Sequence, residues 1–290
     1  MAISRPNANA APYSAGGDAQ NAQLRRPYEN QYFAGITRTS DIGYSNYNSL
    51  QVALRKRFSA GYTMQMAYTL SKSLDTGSYA DSDGTTDQDP SNLLTGEYAR
   101  SDFNQTQLFR LNGVWYLPQF KSLGLLQYAV GGWEVSGIVD YSSGIPFSVT
   151  TGAAAPWIGT SKTLGNLRLN QTHSACAGCR NRTQWTQIGA AGGYFYPTAY
   201  VTPPTGTFGN SGRNSLVGPS YFDTDMSFAK NFPFLPREKN SRVQFRADFF
   251  NLFNNVPLNN PTTANASPVF GKITSAGTAR EVQLALRFVF

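Results

Sequence analysis

In the last eleven residues of the chain, Arg280 to Phe290, every second side chain from Val282 onward is a large apolar one, and the face between them is mixed. The apolar members of this alternation are Val282, Leu284, Leu286, Phe288 and Phe290. Because side chains of a β-strand point alternately to opposite faces, the pattern predicts a strand with one apolar face. Soluble domains usually end in a polar, frayed tail. This face therefore needs an apolar cover up to its last residue, either the core of a soluble sheet or the hydrocarbon of a membrane.

The composition favours an all-β chain. Of the 290 residues, 13% are aromatic and only 14% are charged, whereas charged residues usually make up about 25%. No long segment has apolar residues at helical spacing, and no apolar run approaches the roughly 20 residues of a membrane helix. A membrane location would therefore require strands of a barrel. The first residues lack the apolar region of a signal peptide, so we expect either a protein that is not exported or a true start upstream of Met1.

Six earlier stretches repeat the alternation, which predicts about seven strands in meander order. They span residues 47–58, 62–70, 108–115, 133–142, 222–229 and 242–249. A tight turn at residues 59–61 joins the first two as a hairpin. Lys56 is the one charge on the apolar side of its strand, and near the strand end its stem could snorkel to an interface. Residues 143–151 could extend the fourth strand past a Gly-Ile-Pro bend, and about sixty irregular residues should follow.

The connections alternate in length. Those at residues 59–61, 118–132 and 231–240 are short, and those at 71–105, 152–218 and 254–279 are long. Outer-membrane barrels are built in this way, with short periplasmic turns and long extracellular loops, whereas compact soluble domains rarely contain such loops. Aromatic residues also cluster at predicted strand ends, as in a membrane girdle: Tyr62, Trp115, Tyr116, Trp133, Tyr141 and Phe290.

The face opposite the apolar one carries Arg, Asp, Glu and Gln side chains, which a dry core would not hold unpaired. We therefore expect it to line a wet or plugged lumen. A soluble β-sandwich with one solvated face gives the same alternation and is the alternative.

Charge is distributed unevenly between the loops. Residues 71–105 contain seven acidic and two basic residues, whereas residues 152–218 contain five basic residues and none that is acidic. The basic ones are Lys162, Arg168, Arg180, Arg182 and Arg213. The overall charge is +7, but the bases are dispersed and form no stripe with interleaved aromatics, so nucleic acid is not an expected partner.

Candidate metal ligands occur in two loops. His173, Cys176 and Cys179 could supply three zinc ligands, but a fourth is not evident, and a short-range disulfide between the cysteines in an oxidising exterior is the preferred interpretation. The acidic run from Asp81 to Asp89 has oxygen ligands for calcium but not EF-hand spacing, and we interpret it as a solvated loop. We therefore expect neither a metal nor another cofactor.

Catalytic motifs are equally scarce. The single histidine is the one available base for a Ser-His-Asp arrangement, and no G-x-S-x-G signature accompanies it. An outer-membrane hydrolase that uses His173 is a third-ranked hypothesis, and we expect the protein not to be an enzyme.

Three segments resemble the C-terminal barrel of TonB-dependent receptors, most closely the Oar-like group, which usually carries a carboxypeptidase-regulatory-like domain ahead of the plug. They are Ser45–Asp75, Arg242–Leu258 and the closing REVQLALRFVF, and the most specific part is FFNLFNN, Phe249–Asn255. The resemblance implies an outer-membrane transporter whose plug is moved by the TonB complex. It also implies that Phe288 and Phe290 form the terminal signal that the outer-membrane assembly machinery reads.

The expected organisation has an N-terminal loop segment, residues 1–46, followed by barrel, residues 47–290, without plug or signal peptide. Receptors of this class need about 22 strands, and an odd number cannot close by itself, so we expect a C-terminal piece of a larger receptor. The expected partners are the TonB complex, the assembly machinery, membrane lipid and an unidentified ligand. The alternative function is a structural or adhesive surface barrel that binds a macromolecule through its loops without transport.

Overall fold

The computed structural model describes residues 2–4, 22–27, 36, 40–78, 88–89, 92–118, 124, 127–153, 167–175, 193–233 and 241–289. Within these residues the fold is almost entirely β. The long strands are β3 (Ser45–Ser59), β4 (Tyr62–Asp75), β6 (Gln107–Tyr116), β7 (Trp133–Ser142), β12 (Tyr221–Pro233), β13 (Arg242–Phe250) and β14 (Glu281–Val289). The short strands are β1 (Ala2–Ser4), β2 (Ser40–Gly43), β5 (Ala99–Arg100), β8 (Pro146–Phe147), β9 (Asn170–Gln171), β10 (Tyr200–Val201) and β11 (Leu216–Val217).

Helical structure is limited to single turns. The α-helical turns are α1 (Leu93–Gly96) and α2 (Gln127–Val130), and the 3₁₀ turns are Ala22–Arg25 and Pro197–Ala199. Among the residues described, no helix has the length and apolar character needed to cross a membrane.

The seven long strands form one antiparallel sheet in the order β14, β13, β12, β7, β6, β4, β3, and β5 adds to the end of β4. Consecutive long strands are neighbours, which confirms the predicted meander. In the described part of the chain β3 pairs only with β4 and β14 pairs only with β13, so the sheet is open. The short connections all lie at one end of the strands, which we call the turn end of the sheet. The long connections lie at the opposite end of the strands, which we call the loop end.

The strand register keeps the two faces separate across the whole sheet. One row of directly paired residues on the apolar face is Lys56, Met64, Gly113, Gly137, Met226 and Phe249. A neighbouring row on the polar face is Arg55, Gln65, Asn112, Ile138 and Asp225. A slip of one residue in any pair would exchange the faces of that strand. The observed register has no such slip along these two rows, so the apolar side chains of neighbouring strands share one face of the sheet.

The apolar face is not the core of the molecule. Leu50 and Leu54 on β3 are 60% and 50% exposed, and Leu284 and Leu286 on β14 are 66% and 64% exposed. Monomeric soluble proteins rarely expose a contiguous apolar surface of this kind. The buried apolar residues instead cluster in the long connections at the loop end.

Two local features bear on how the sheet turns and bends. The predicted turn at residues 59–61 is present, with Ala60 and Gly61 at φ 54° and 83°. Both angles are positive, as in the type I′ turns that suit two-residue hairpins. Gly113 and Gly137 face each other across β6 and β7, and a Cβ at Gly113 would lie 2.8 Å from the Thr63 carbonyl oxygen. Glycine at such positions allows strong local curvature.

Three predictions about the connections differ from the structure. Residues 143–151 do not extend β7, because β8 pairs with β11 instead and so turns the chain into the loop region. The first 46 residues are not loop throughout, since β1 pairs with β2 and β3 already begins at Ser45. The stretch 152–218 also contains β9, β10 and β11 rather than irregular structure alone.

Candidate functional site: the loop cap and the polar trough

The long connections at the loop end pack together into one folded unit. We call it the loop cap, and it comprises the described residues of 76–106, 143–220 and 251–280. Its apolar core consists of Phe147, Val149, Leu169, Ala175, Phe195, Ala199 and Tyr200. Phe195 lies at the centre, 5.6 Å from the Tyr200 ring and 5.2 Å from the Phe270 ring between centroids, both edge to face. The second and third long connections are therefore joined by an aromatic core.

A buried ion pair joins the first and second long connections. The Arg168 guanidinium donates to both carboxylate oxygens of Glu97, with N–O distances of 2.6 and 3.1 Å. The two side chains are 4% and 0% exposed. Arg168 Nε also donates to the Ser211 carbonyl oxygen at 3.0 Å, and the Gln88 amide N–H donates to Glu97 at 3.2 Å. Because both charges are desolvated, the pair depends on this full set of partners.

A second buried arginine joins the cap to the end of β4. Arg213 donates to the Asp75 carboxylate and, at 2.7 Å, to the Asp75 carbonyl oxygen. It also lies 3.4 Å from Asp102, and its Nε donates to the Glu97 carbonyl oxygen at 3.0 Å. The Arg213 side chain is only 1% exposed. One guanidinium thus ties the second connection to both ends of the first.

The opposite net charges of the first two long connections form ion pairs between them, which the sequence alone did not predict. Two of the four arginines of the basic connection, Arg168 and Arg213, are paired with Glu97, Asp75 and Asp102 of the acidic one. The sequence shows that the two connections carry opposite net charge. It does not show which residues form ion pairs, because Arg168 and Glu97 are 71 residues apart. The opposite charges therefore serve to assemble the cap.

Burial in the cap also affects two tyrosines. Desolvation raises the pKa of Tyr194 and of Tyr200 from 10 to about 12. The Tyr194 hydroxyl donates to the Val217 carbonyl oxygen at 2.8 Å. Removing water from around a phenol disfavours its charged form, so both side chains are neutral over the physiological range.

The polar face of the sheet forms a second candidate site. Its middle is a concave trough with a volume of about 560 Å³. Side chains from strands as far apart as β3 and β13 line it; they include Arg55, Gln65, Asn112, Ser227, Arg246 and Asp248. Arg246 and Asp248 are paired at 2.9 Å and remain partly exposed. The trough therefore offers donors, acceptors and both signs of charge to a polar ligand.

The FFNLFNN segment has a structural role next to this face. The Asn251 side chain accepts from the Asn255 amide and donates to the Asn255 carbonyl oxygen, both at 2.8 Å. The Asn251 backbone N–H donates to the Asp225 carboxylate at 2.9 Å. Asn251 and Asn254 have φ of 51° and 52°, a conformation that asparagine tolerates better than most residues. The segment is therefore a hydrogen-bonded turn that ends β13.

The two predicted candidates that the structure describes, His173 and Phe288, belong to neither the cap core nor the lining of the trough. Cys176 and Cys179 are outside the described residues, so the disulfide stays a prediction. His173 is exposed, with Nδ1 3.0 Å from the Thr172 hydroxyl oxygen. No group of three or more His, Cys, Asp or Glu able to hold a metal occurs among the residues that the structure describes. Phe288 lies on the apolar face of β14, 55% exposed and paired with Val243, and Phe290 is outside the described residues.

Comparison with known proteins identifies this architecture. The model of a family described as outer membrane beta barrel domain matches residues 2–283, which is nearly the whole chain. A search of curated proteins found no match.

Proposed function

The chain belongs to the outer membrane beta barrel domain family, and we propose that it forms part of the wall and the outer loops of a TonB-dependent transporter. Family membership locates the protein in the outer membrane. The exposed apolar face then contacts lipid, the polar face lines the lumen, the turn end is periplasmic and the loop end is extracellular.

The observation that carries the proposal is the polar trough. In a small barrel, side chains fill the interior, whereas a wide barrel leaves a polar lumen. Here Arg55 and Arg246 stand on strands separated by four others in the sheet order, yet they line one concave surface. One concave polar surface that spans strands from β3 to β13 of an open sheet suits the wall of a barrel wide enough to hold a plug. The polar lining of the trough supports passage of a polar ligand rather than catalysis.

The open edges support the same proposal. All fifteen residues of β3 lie at an edge whose backbone groups invite pairing. We propose that β3 and β14 pair with other strands of one larger barrel, which would remove both edges. The proposed partners are the TonB complex, which would act through a plug, and the assembly machinery, which would read Phe288 and Phe290. An unidentified ligand would bind the loop cap and the trough.

The second candidate is a surface barrel that binds a macromolecule without transport. The buried pairs of Arg168 and Arg213 favour it, because they hold the cap as one preformed surface. A preformed surface binds with little ordering cost. The two candidates differ in their need for energy from the inner membrane.

Metabolite depletion distinguishes the two candidates even though the ligand is unidentified. Strains that lack this gene, lack TonB or lack neither would be grown in the same complex medium, and the spent media compared by untargeted mass spectrometry. Transport predicts at least one compound whose depletion needs both the gene and TonB. If no compound behaves in this way, and deletion of the gene instead reduces attachment of cells to a surface, the transport proposal fails in favour of the second candidate.

A further inference from the structure

The lipid-facing surface contains a cleft at the two paired glycines. The apolar row of the sheet runs from Lys56 through Met64, Gly113 and Gly137 to Met226. The two glycines present no side chain between the two methionines. The result is a cleft of about 400 Å³ with a predominantly apolar lining.

The cleft runs along the strands. Tyr62 and Trp115 line it at the turn end, and Leu111 and Val139 line it toward the middle of the sheet. Trp115 is 50% exposed and belongs to the aromatic group at the periplasmic interface. A chain-like molecule could therefore enter at the interface and extend toward the membrane centre. The methionine walls are flexible and polarizable, which suits an irregular hydrocarbon occupant.

A cation stands beside the mouth of the cleft. Lys56 Nζ lies 4.7 Å from the centroid of the Tyr62 ring, and Tyr62 is a lining residue. The ammonium also donates to the Arg57 carbonyl oxygen at 3.2 Å, so the side chain bends from its row toward the turn end, as the predicted snorkelling requires.

Lys230, on β12, is not available to bind a lipid headgroup at the interface. Its side chain is buried, only 5% exposed, and donates to the Ala129 carbonyl oxygen at 3.2 Å. A cation at the interface attracts anionic lipid headgroups, and Lys56 is placed for that role.

We propose that this cleft binds one anionic glycerophospholipid of the periplasmic leaflet, with an acyl chain between Met64 and Met226 and the phosphate at Lys56. The site is continuous with the surface that already contacts lipid, and the flanking ammonium of Lys56 matches the charge of the headgroup. The inference rests on membership of the outer-membrane family and is independent of transport. Its failure would therefore leave the proposed function untouched.

Photo-crosslinking tests the proposal on the full-length gene product in nanodiscs of phosphatidylethanolamine. The probe is phosphatidylglycerol with a diazirine in the middle of an acyl chain, and labelled peptides are mapped by mass spectrometry. Labels should concentrate on the peptides of Met64 and Met226 relative to that of Leu284. Leu284 is a matched control because it lies on the same face, 66% exposed, and does not line the cleft.

Variants separate the tail from the headgroup. Met226→Trp should fill the cleft and abolish the preferential labelling at Met64, whereas Leu284→Trp should not. Met64→Phe fills the cleft from the opposite wall and should reduce labelling at Met226. Lys56→Gln should lower labelling by phosphatidylglycerol about fivefold, the factor that one basic side chain contributes at an anionic surface. Heat-modifiable migration on gels would verify that each variant is folded.

Labels spread evenly over Met64, Met226 and Leu284 would overturn the proposal. So would preferential labelling that survives both cleft-filling variants. Equal labelling by a phosphatidylethanolamine probe, with no effect of Lys56→Gln, would overturn the anionic headgroup.

Discussion

Replacing Arg168 by methionine tests whether a buried ion pair assembles the loop cap. The variant removes the guanidinium that donates twice to Glu97 but keeps a flexible side chain. Glu97 is fully buried, so its carboxylate would lose the cation that compensates its desolvation. Breaking a buried pair in this way costs about 3–5 kcal/mol. Because the pair joins two connections far apart in sequence, we expect the loss to appear as opening of the cap rather than unfolding of the sheet.

Hydrogen–deuterium exchange measures that opening directly. The amides of Thr151, Leu169 and Ser211 donate to carbonyl oxygens of other cap residues at 2.8, 3.2 and 3.1 Å. Their exchange reports the local opening free energy. A loss of about 3–5 kcal/mol predicts exchange faster by roughly 10²–10⁴-fold at these amides. Amides in the middle of β6 should keep their wild-type rates.

The matched control is Arg110→Met. Arg110 lies 3.2 Å from Asp140, but the two side chains are 75% and 38% exposed. Exposed pairs contribute about 0–1 kcal/mol, so cap amides should not respond. Adding Glu97→Gln to Arg168→Met should recover part of the loss, because it removes the orphaned charge. Equal exchange in the two single variants would refute the reasoning.

Three further predictions concern the cap and its neighbouring turn. Gly209→Ala places a Cβ 1.9 Å from the Arg168 carbonyl oxygen and should destabilise the cap by about 1–3 kcal/mol or more. In Gly212→Ala the atom nearest to the new Cβ is 3.9 Å away, so the stability of the cap should change by less than about 0.5 kcal/mol. Hydrogen–deuterium exchange at the cap amides compares the two variants. Asn251→Ala removes two side-chain hydrogen bonds of 2.8 Å at a residue with positive φ and should cost roughly 1–3 kcal/mol, measured as a lower temperature of gel heat modification. The pKa of Tyr200 rises from 10 to about 12 on folding, so its contribution to cap stability is complete below pH 10 and is lost as pH rises through 12, a difference of roughly 2–3 kcal/mol. Tyr200→Phe should remove this share of the pH dependence, leaving that of Tyr194, and should remove one late phenol from an ultraviolet titration; an unchanged titration would contradict the assignment.

The strands could be predicted because their signal is local. The predicted spans 133–142 and 242–249 agree with β7 and β13 to within one residue. The alternation of side chains is repeated within each strand, and neighbouring strands in a meander are also neighbours in sequence. Errors occurred where pairing is not local, as when β8 joined β11 instead of extending β7.

The candidate site was harder to predict. The polar face was recognised from the same alternation, but the alternation does not show that strands as far apart as β3 and β13 line one trough. The cap has no periodic pattern at all. Its buried Arg168 and Arg213 find partners 71 and 138 residues away, and composition records such charges without showing which ones meet.

The sequence by itself determined the number of long strands, their order and which face of each is apolar, because a period of two and the adjacency of hairpins are properties of consecutive residues. Only the tertiary structure decided what lies beyond that range. It brought Arg168 to Glu97 and Arg213 to Asp75, bent the polar face into a trough, and left a cleft between Met64 and Met226. These features depend on distances between segments remote in sequence, which are set when the strands pair and the long connections fold over their ends.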